Sequence, residues 1–338
     1  MQIAPGIQLT YPPVLKYMEE TNKVIVGLER PRFMLMCAFA ARGHVLVMAK
    51  PGKAKSLLMK ASSQAIGGAK IGRLQMTADL KPASITGYTV ETAHGKVFRP
   101  SPLLGLNLLL VDEFNRASVQ TQSAFLEGMA EAQYTVDGVT TRLEEIFQLM
   151  AVINGTESRG TVALNNATSD RFMFLIDWPI LTVRQLQAVN ANENLQREHP
   201  EDVINPALTL ADMATMRSET RAMLRKPSAA ILDYVVRLAA SVDPDYDQFH
   251  QVKRRDGGNF ADLVSWGGCD RLNHYLLRAA AAVAVFTGSP CIEPHHVRFV
   301  FPDAARPHFK MSPKASFGKN RETPESFIEQ ILATVSET

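Results

Sequence analysis

Short apolar runs of strand length alternate along this chain with stretches whose apolar residues recur at helical spacing. Val45–Met48 is uninterrupted apolar, and 108–111, 147–153 and 172–176 repeat the pattern. Such a run predicts a strand covered on both faces, because successive side chains point to opposite sides of a sheet and neither side is left for water. Between the runs, 31–41 and 118–132 carry helical patterns, and Ala124, Phe125, Met129 and Ala132 can share one face of the second. Gly43 is placed to cap the first of these helices. The helix predicted to start near Ser56 follows a break at Pro51 and Gly52. Tyr134-Thr135-Val136 followed by Asp137-Gly138 predicts a hairpin. Buried strands alternating with helices predict an α/β fold with a parallel sheet flanked by helices.

After Trp178-Pro179 the strand-like runs stop. Helical patterns dominate from Val183 onward, including Ala229–Ala240 and 272–286, while 243–259 is polar and predicts an exposed loop. Near the end, Thr323 and Pro324 open a helix whose Phe327, Ile328, Ile331 and Leu332 form one face. The expected organisation is an α/β domain over 1–180, a smaller α-helical domain over 181–310, and a tail over 311–338 with a short helix.

Composition narrows the class. The chain has 338 residues, enough for a sizeable core, and a formal net charge of only +2, which gives no bulk field for nucleic acid or a membrane surface. Its three cysteines, Cys37, Cys269 and Cys291, are far apart and show no metal-ligand spacing, so reduced thiols and a cytoplasmic location are expected. The first residues lack the pattern of a signal peptide, and no apolar run is long enough to span a bilayer. His295-His296 reads as the first turn of a helix, where adjacent side chains diverge, rather than as a metal pair.

The candidate chemistry sits at the ends of the buried strands. The loop after Val45–Met48 runs Ala49-Lys50-Pro51-Gly52-Lys53-Ala54-Lys55-Ser56 and leads into a helix. Backbone N–H groups of such a loop, from Gly52 through Lys53, Ala54, Lys55, Ser56 and Leu57, can cradle phosphates, with Lys55 on the β- and γ-phosphates and Ser56 on Mg²⁺. Ala49 and Ala54 stand where this pattern has glycines, and a positive φ at Ala54 would cost about 1–2 kcal/mol. The run 108–111 then delivers Asp112 and Glu113 at its carboxyl end, where open α/β sheets bind ligands. Asp112 suits the Mg²⁺ shell and Glu113 the activation of water. Asn154, after the third strand, could position that water. Arg171 and Arg271 have the fork that binds phosphate oxygens, although arginines are ordinarily surface charges.

Several phrases carry a resemblance: Val24-Ile25-Val26-Gly27, DLKPASITG at 79–87, Arg99-Pro100-Ser101-Pro102, LLVDEFNRA at 109–117, TQSAFLE at 121–127, TVDG at 135–138, SDRF at 169–172 and GGCDRL at 267–272. Across roughly residues 20–305 the chain resembles the MoxR group of AAA+ ATPases. The resemblance implies Lys55 and Ser56 as the end of Walker A, Asp112 and Glu113 as Walker B and Asn154 as sensor 1. It further implies Arg171 as a finger acting on a neighbouring subunit and Arg271 as the sensor 2 arginine of a helical lid. It implies ATP and Mg²⁺ as cofactors, a hexameric ring, and a chaperone-like activity that matures partner complexes. Such partners often carry a von Willebrand A domain and sometimes receive a metal cofactor. Cys269-Asp270 departs from the lid motif, and Asp270 is expected to hold Arg271 in an ion pair. The competing expectations are a nucleotide-binding scaffold that hydrolyses slowly because of Ala54, and a ring moving on nucleic acid, which the modest charge disfavours. The segment 79–102 is expected to be an inserted hairpin presenting Tyr88, Val90 and Phe98.

Overall fold

The structure, a computed structural model, describes residues 1–49, 54–93, 95–153, 164–225, 227–316 and 321–337. Five strands form its central sheet: β1 Val45–Met48, β2 Ile71–Gln75, β3 Leu108–Asp112, β4 Gln148–Ile153 and β5 Phe174–Asp177. They lie in the order β5-β1-β4-β3-β2, and every neighbouring pair is parallel. The four apolar runs are the inner strands and one edge. β2, with sequence IGRLQ, has no such run, and sequence reasoning missed it. As an edge strand it is only half covered, so polar side chains replace the continuous apolar signal.

The sheet buries both faces in a two-residue alternation. Val45, Val47, Leu108, Leu110, Met150, Val152, Phe174 and Ile176 belong to one apolar cluster. Leu46, Leu109, Val111, Leu149, Ala151 and Leu175 belong to another, with Phe114, Phe125 and Phe172. The first cluster continues into the helices Glu29–Ala40 and Cys269–Thr287. The helix Cys269–Thr287 also packs on Leu210–Met223, Ala229–Ala240 and Pro294–Ala305, which makes the C-terminal helical region. Arg217 fastens that region to the amino-terminal edge of the sheet. Its guanidinium lies 4.6 Å from the Phe39 ring centroid and donates to the carbonyls of Phe39, Glu145 and Phe147 at 3.1, 2.5 and 3.2 Å.

The helix Glu29–Ala40 ends differently from its sequence reading. The left-handed residue is Arg42, with φ 55°, and not Gly43. Gly43 is small for another reason: a Cβ there would lie 2.5 Å from the Met173 sulfur. The hairpin within 79–102 is present, as Gly87–Thr92 paired antiparallel with Gly95–Pro100, and Tyr88 on it is exposed. The short hairpin after the helix Val119–Glu131 pairs Gln133–Val136 with Val139–Arg142. Lys253-Arg254-Arg255 lies at an exposed turn, where Arg254 pairs with Asp256 and Glu322 and Arg255 with Glu329 of the tail helix Pro324–Thr334.

Two histidines are built in as neutral groups. His44 accepts from the Leu149 N–H at Nδ1 and donates from Nε2 to the Met129 carbonyl. His296 accepts from the Glu293 N–H at Nδ1, capping the helix Pro294–Ala305, and its Nε2 meets the Thr287 hydroxyl. Burial pulls each imidazole down from 6.5 to about 4. The unfolded chain therefore binds protons first on acidification. Stability is full above pH ~6.5 and falls as the pH drops from there through ~4, by about 1.4 kcal/mol per unit for each histidine at most. Urea unfolding at pH 7 and pH 5 checks this, and equal stability at the two values would show that these imidazoles accept protons within the fold.

Candidate active site

The acids predicted from the phrase LLVDEFNRA emerge at the carboxyl end of β3. Asp112 ends the strand and is only 6% exposed. Glu113 turns the chain with φ 53°, a left-handed conformation that costs a side-chain-bearing residue about 1–2 kcal/mol. Strain of that size, held at the end of a sheet, commonly marks a functional position.

Both carboxylates are held from β2. Arg73 donates to Asp112 Oδ2 from Nε at 2.7 Å and approaches it with Nη2 at 2.6 Å. Gln75, two residues on and on the same side of the strand, donates to Glu113 Oε2 at 2.6 Å. Arg116 approaches the same oxygen at 3.2 Å. Sequence reasoning singled out none of Arg73, Gln75 and Arg116. Arg73 and Gln75 sit on the strand that had no apolar signal, and Arg116 lies inside the quoted phrase without a visible role.

The helix Lys55–Ala65 starts beside these acids. Burial depresses the Lys55 ammonium, while Asp112 and Glu113 pull it back up and Arg73 adds to the depression. That coupling places Lys55 in the field of both carboxylates. Ala54, the residue before the helix, has φ 55° and ψ 19°. The strained conformation expected only if φ were positive is present, at a residue whose Cβ opposes it. Ala49 shows no such conflict; it is buried, and its N–H donates to the Ile153 carbonyl. Gly52, Lys53 and Asn154 lie outside the described residues.

The two predicted arginines are together, but on the other side of the sheet. Arg171 precedes β5, whose first residue Phe174 pairs with Val45 at the start of β1. Lys55 follows the far end of β1. The four residues of a strand span about 13 Å, so Arg171 sits at the amino edge and the acids at the carboxyl edge. Arg171 Nη1 donates to the Ala167 carbonyl at 3.0 Å, and the Tyr275 hydroxyl donates to the Arg171 carbonyl at 3.1 Å. Arg271, in the first turn of the helix Cys269–Thr287, is ion-paired with Asp170. The expected partner, Asp270, is instead turned toward the Cys269 sulfur at 3.7 Å. The fold decides this, because Asp170 and Arg271 are 101 residues apart in sequence. Burial opposes ionisation of Asp170, but His308, donating from Nδ1 at 2.8 Å, and Arg271 outweigh it and hold the carboxyl below its usual range.

A parallel sheet in this strand order, with a lysine and a serine opening one helix and paired acids at the end of β3, is a nucleotide-binding arrangement. Residues 44–174 match the family described as the ATPase family associated with various cellular activities (AAA). The Bacillus subtilis protein YeaC is 30% identical over 96% of this chain and 95% of its own length. Chaperone MoxR1 of Mycobacterium tuberculosis is 28% identical over 94% of this chain and 80% of its own. Protein MoxR of Methylorubrum extorquens is 27% identical over 95% and 94%. The chain belongs to the MoxR family of AAA+ ATPases. A crystal structure from Cytophaga hutchinsonii matches the fold with a TM-score of 0.81, at 24% identity, covering 96% of this chain and 94% of that one. As a MoxR-family chain it has the family's α/β sheet and C-terminal helical region. No helix among the described residues is long and apolar enough to cross a membrane.

The residues present suit a magnesium nucleotide. Asp112 and Ser56 offer the hard oxygen donors that Mg²⁺ takes. The cation now facing Asp112 is a side chain 58% exposed, free to swing away from the carboxylate. Arg73 already takes the Asp112 oxygen that a bound Mg²⁺ would need. Arg73→Ala should therefore lower the Mg²⁺ concentration needed for half-maximal tight nucleotide binding by about two- to fivefold, which is what the 0.5–1 kcal/mol of an exposed ion pair amounts to. A titration followed by a fluorescent ATP analogue checks this; a higher Mg²⁺ requirement would show that Arg73 instead orients Asp112 for the ion.

Proposed function

We propose that this chain hydrolyses ATP and couples the cycle to remodelling of a protein partner, as a cytoplasmic ring of copies, with six as the expected number. The observation that carries the reading is the pair Asp112-Glu113 at the carboxyl end of β3, in the electrostatic reach of Lys55. Lys55 would reach the β- and γ-phosphates, and Ser56 with Asp112 would hold Mg²⁺. When bound, that ion neutralises charge on the phosphate oxygens. Glu113 would take the proton of the attacking water, and Asn154 would orient that water. Arg171 and Arg271, far from their own chain's Lys55, would complete the site of an adjacent copy. A protein client fits the printed name of the relative Chaperone MoxR1. A von Willebrand A partner and metal-cofactor insertion are the finer forms of the same proposal.

A slow-hydrolysing scaffold is the second reading, favoured by one observation: the left-handed Ala54 at the mouth of the phosphate loop. Ala→Gly there removes about 1–2 kcal/mol of native-state strain and adds about 0.4–1 kcal/mol of unfolded-state entropy, so the net effect is modestly stabilising. Magnesium-dependent phosphate release by wild type and Ala54→Gly separates the readings. Robust wild-type turnover supports the hydrolase. Turnover that appears only in Ala54→Gly supports the scaffold.

A further inference from the structure

Arg171 is aimed by its backbone more than by its side chain. Among the described residues its guanidinium makes one hydrogen bond, from Nη1 to the Ala167 carbonyl at 3.0 Å, and its Nε is buried without a partner. A side chain so lightly held points where the chain at 169–172 directs it, since rotamer choice follows φ and ψ.

That stretch of chain is gripped from two sides. Toward the sheet, Phe172 is fully buried and meets Phe114, the residue after Glu113, edge-on at 5.8 Å. Toward the C-terminal helical region, four side-chain contacts converge on three consecutive residues. The Ser169 hydroxyl donates to the Pro307 carbonyl at 2.8 Å. Asp170 accepts from His308 Nδ1 on one oxygen and from Arg271 on the other. The Tyr275 hydroxyl donates to the carbonyl of Arg171 itself, which fixes the peptide plane set by ψ at that residue. Tyr275 stands four residues after Arg271 on the helix Cys269–Thr287, and its ring lies 5.7 Å from the fully buried His308 ring. The Gly268 N–H donates to the His308 carbonyl at 2.9 Å and ties the start of that helix to the same cluster.

We infer that Tyr275 and His308 are positioning residues for Arg171: from the C-terminal helical region they set the angle at which this chain presents its arginine to an adjacent copy. The inference rests on the two-copy reading above and adds the groups that aim the arginine. Neither side chain needs to touch the nucleotide to act in this way.

The test mixes full-length subunits and follows the recovered ATP turnover by phosphate release. Glu113→Gln subunits supply the arginine, and Arg171→Ala subunits supply the base. Tyr275→Phe keeps the ring and removes one hydroxyl. Carried by the Glu113→Gln subunit, it should lower the recovered kcat about three- to tenfold with KM unchanged. Carried by the Arg171→Ala subunit, which has no arginine to aim, it should leave the recovered kcat unchanged. On the arginine-supplying subunit, His308→Asn, whose amide nitrogen can stand where Nδ1 stands, should keep more turnover than His308→Leu. A loss of equal size from Tyr275→Phe on either subunit would reduce Tyr275 to a structural residue and overturn the inference, as would no loss on either. Equal losses in His308→Asn and His308→Leu would remove His308 from it. If the parent mixture recovers no turnover, the two-copy reading itself falls and takes this inference with it.

Discussion

Glu113→Gln is expected to cut ATP turnover by about 10²–10⁴-fold and to leave ATP binding in place. The amide keeps the size and the hydrogen-bonding reach of the carboxylate but cannot accept a proton from water. The left-handed backbone at 113 tolerates Gln as it tolerates Glu, and Gln75 can still meet the new side chain. The loss should therefore fall on the chemical step. Phosphate release and equilibrium binding of a fluorescent ATP analogue, measured on the same protein, separate the two effects. Equal loss of both would reduce Glu113 to a structural acid, and retained turnover would remove it from the mechanism.

Arg171→Ala is expected to cut turnover further, by about 10³–10⁵-fold, the range an arginine supplied to a developing phosphoryl charge commands. Its own nucleotide should bind within a few-fold of wild type, because Arg171 lies a full strand length away. That separation makes a second measurement possible. A ring mixing Arg171→Ala with Glu113→Gln subunits contains interfaces where an intact base meets an intact arginine. Mixed samples should then exceed the summed activity of the two variants alone. No gain on mixing would place Arg171 in the service of its own nucleotide, against the register that sets it at the amino edge.

The pairing that surrounds Glu113 explains why this site was only half legible. Lys55, Ser56, Asp112 and Glu113 follow buried strands directly, so the apolar runs announced them. Arg73 and Gln75 sit on β2, an edge strand whose uncovered face takes polar residues, and nothing in IGRLQ marked it as part of the sheet. The ion pair of Arg271 shows the same limit from another side. Its neighbour in sequence, Asp270, was the natural candidate, yet the first turn of a helix points adjacent side chains in different directions, and the partner is Asp170.

The sequence by itself determined the buried strands β1, β3, β4 and β5, the helical C-terminal half, the family phrases and the acids that end β3. It could do so because burial on both faces and proximity to a strand end are local properties, written in consecutive residues. Tertiary structure alone decided the fifth strand, the hold of Arg73 and Gln75 on the two acids, and the placement of Arg171 and Arg271 across the sheet from Lys55. It also settled the sign of φ at Ala54, which the residue type opposes. Those features depend on which distant segments meet, and strand order and register fix that only once the whole sheet has closed.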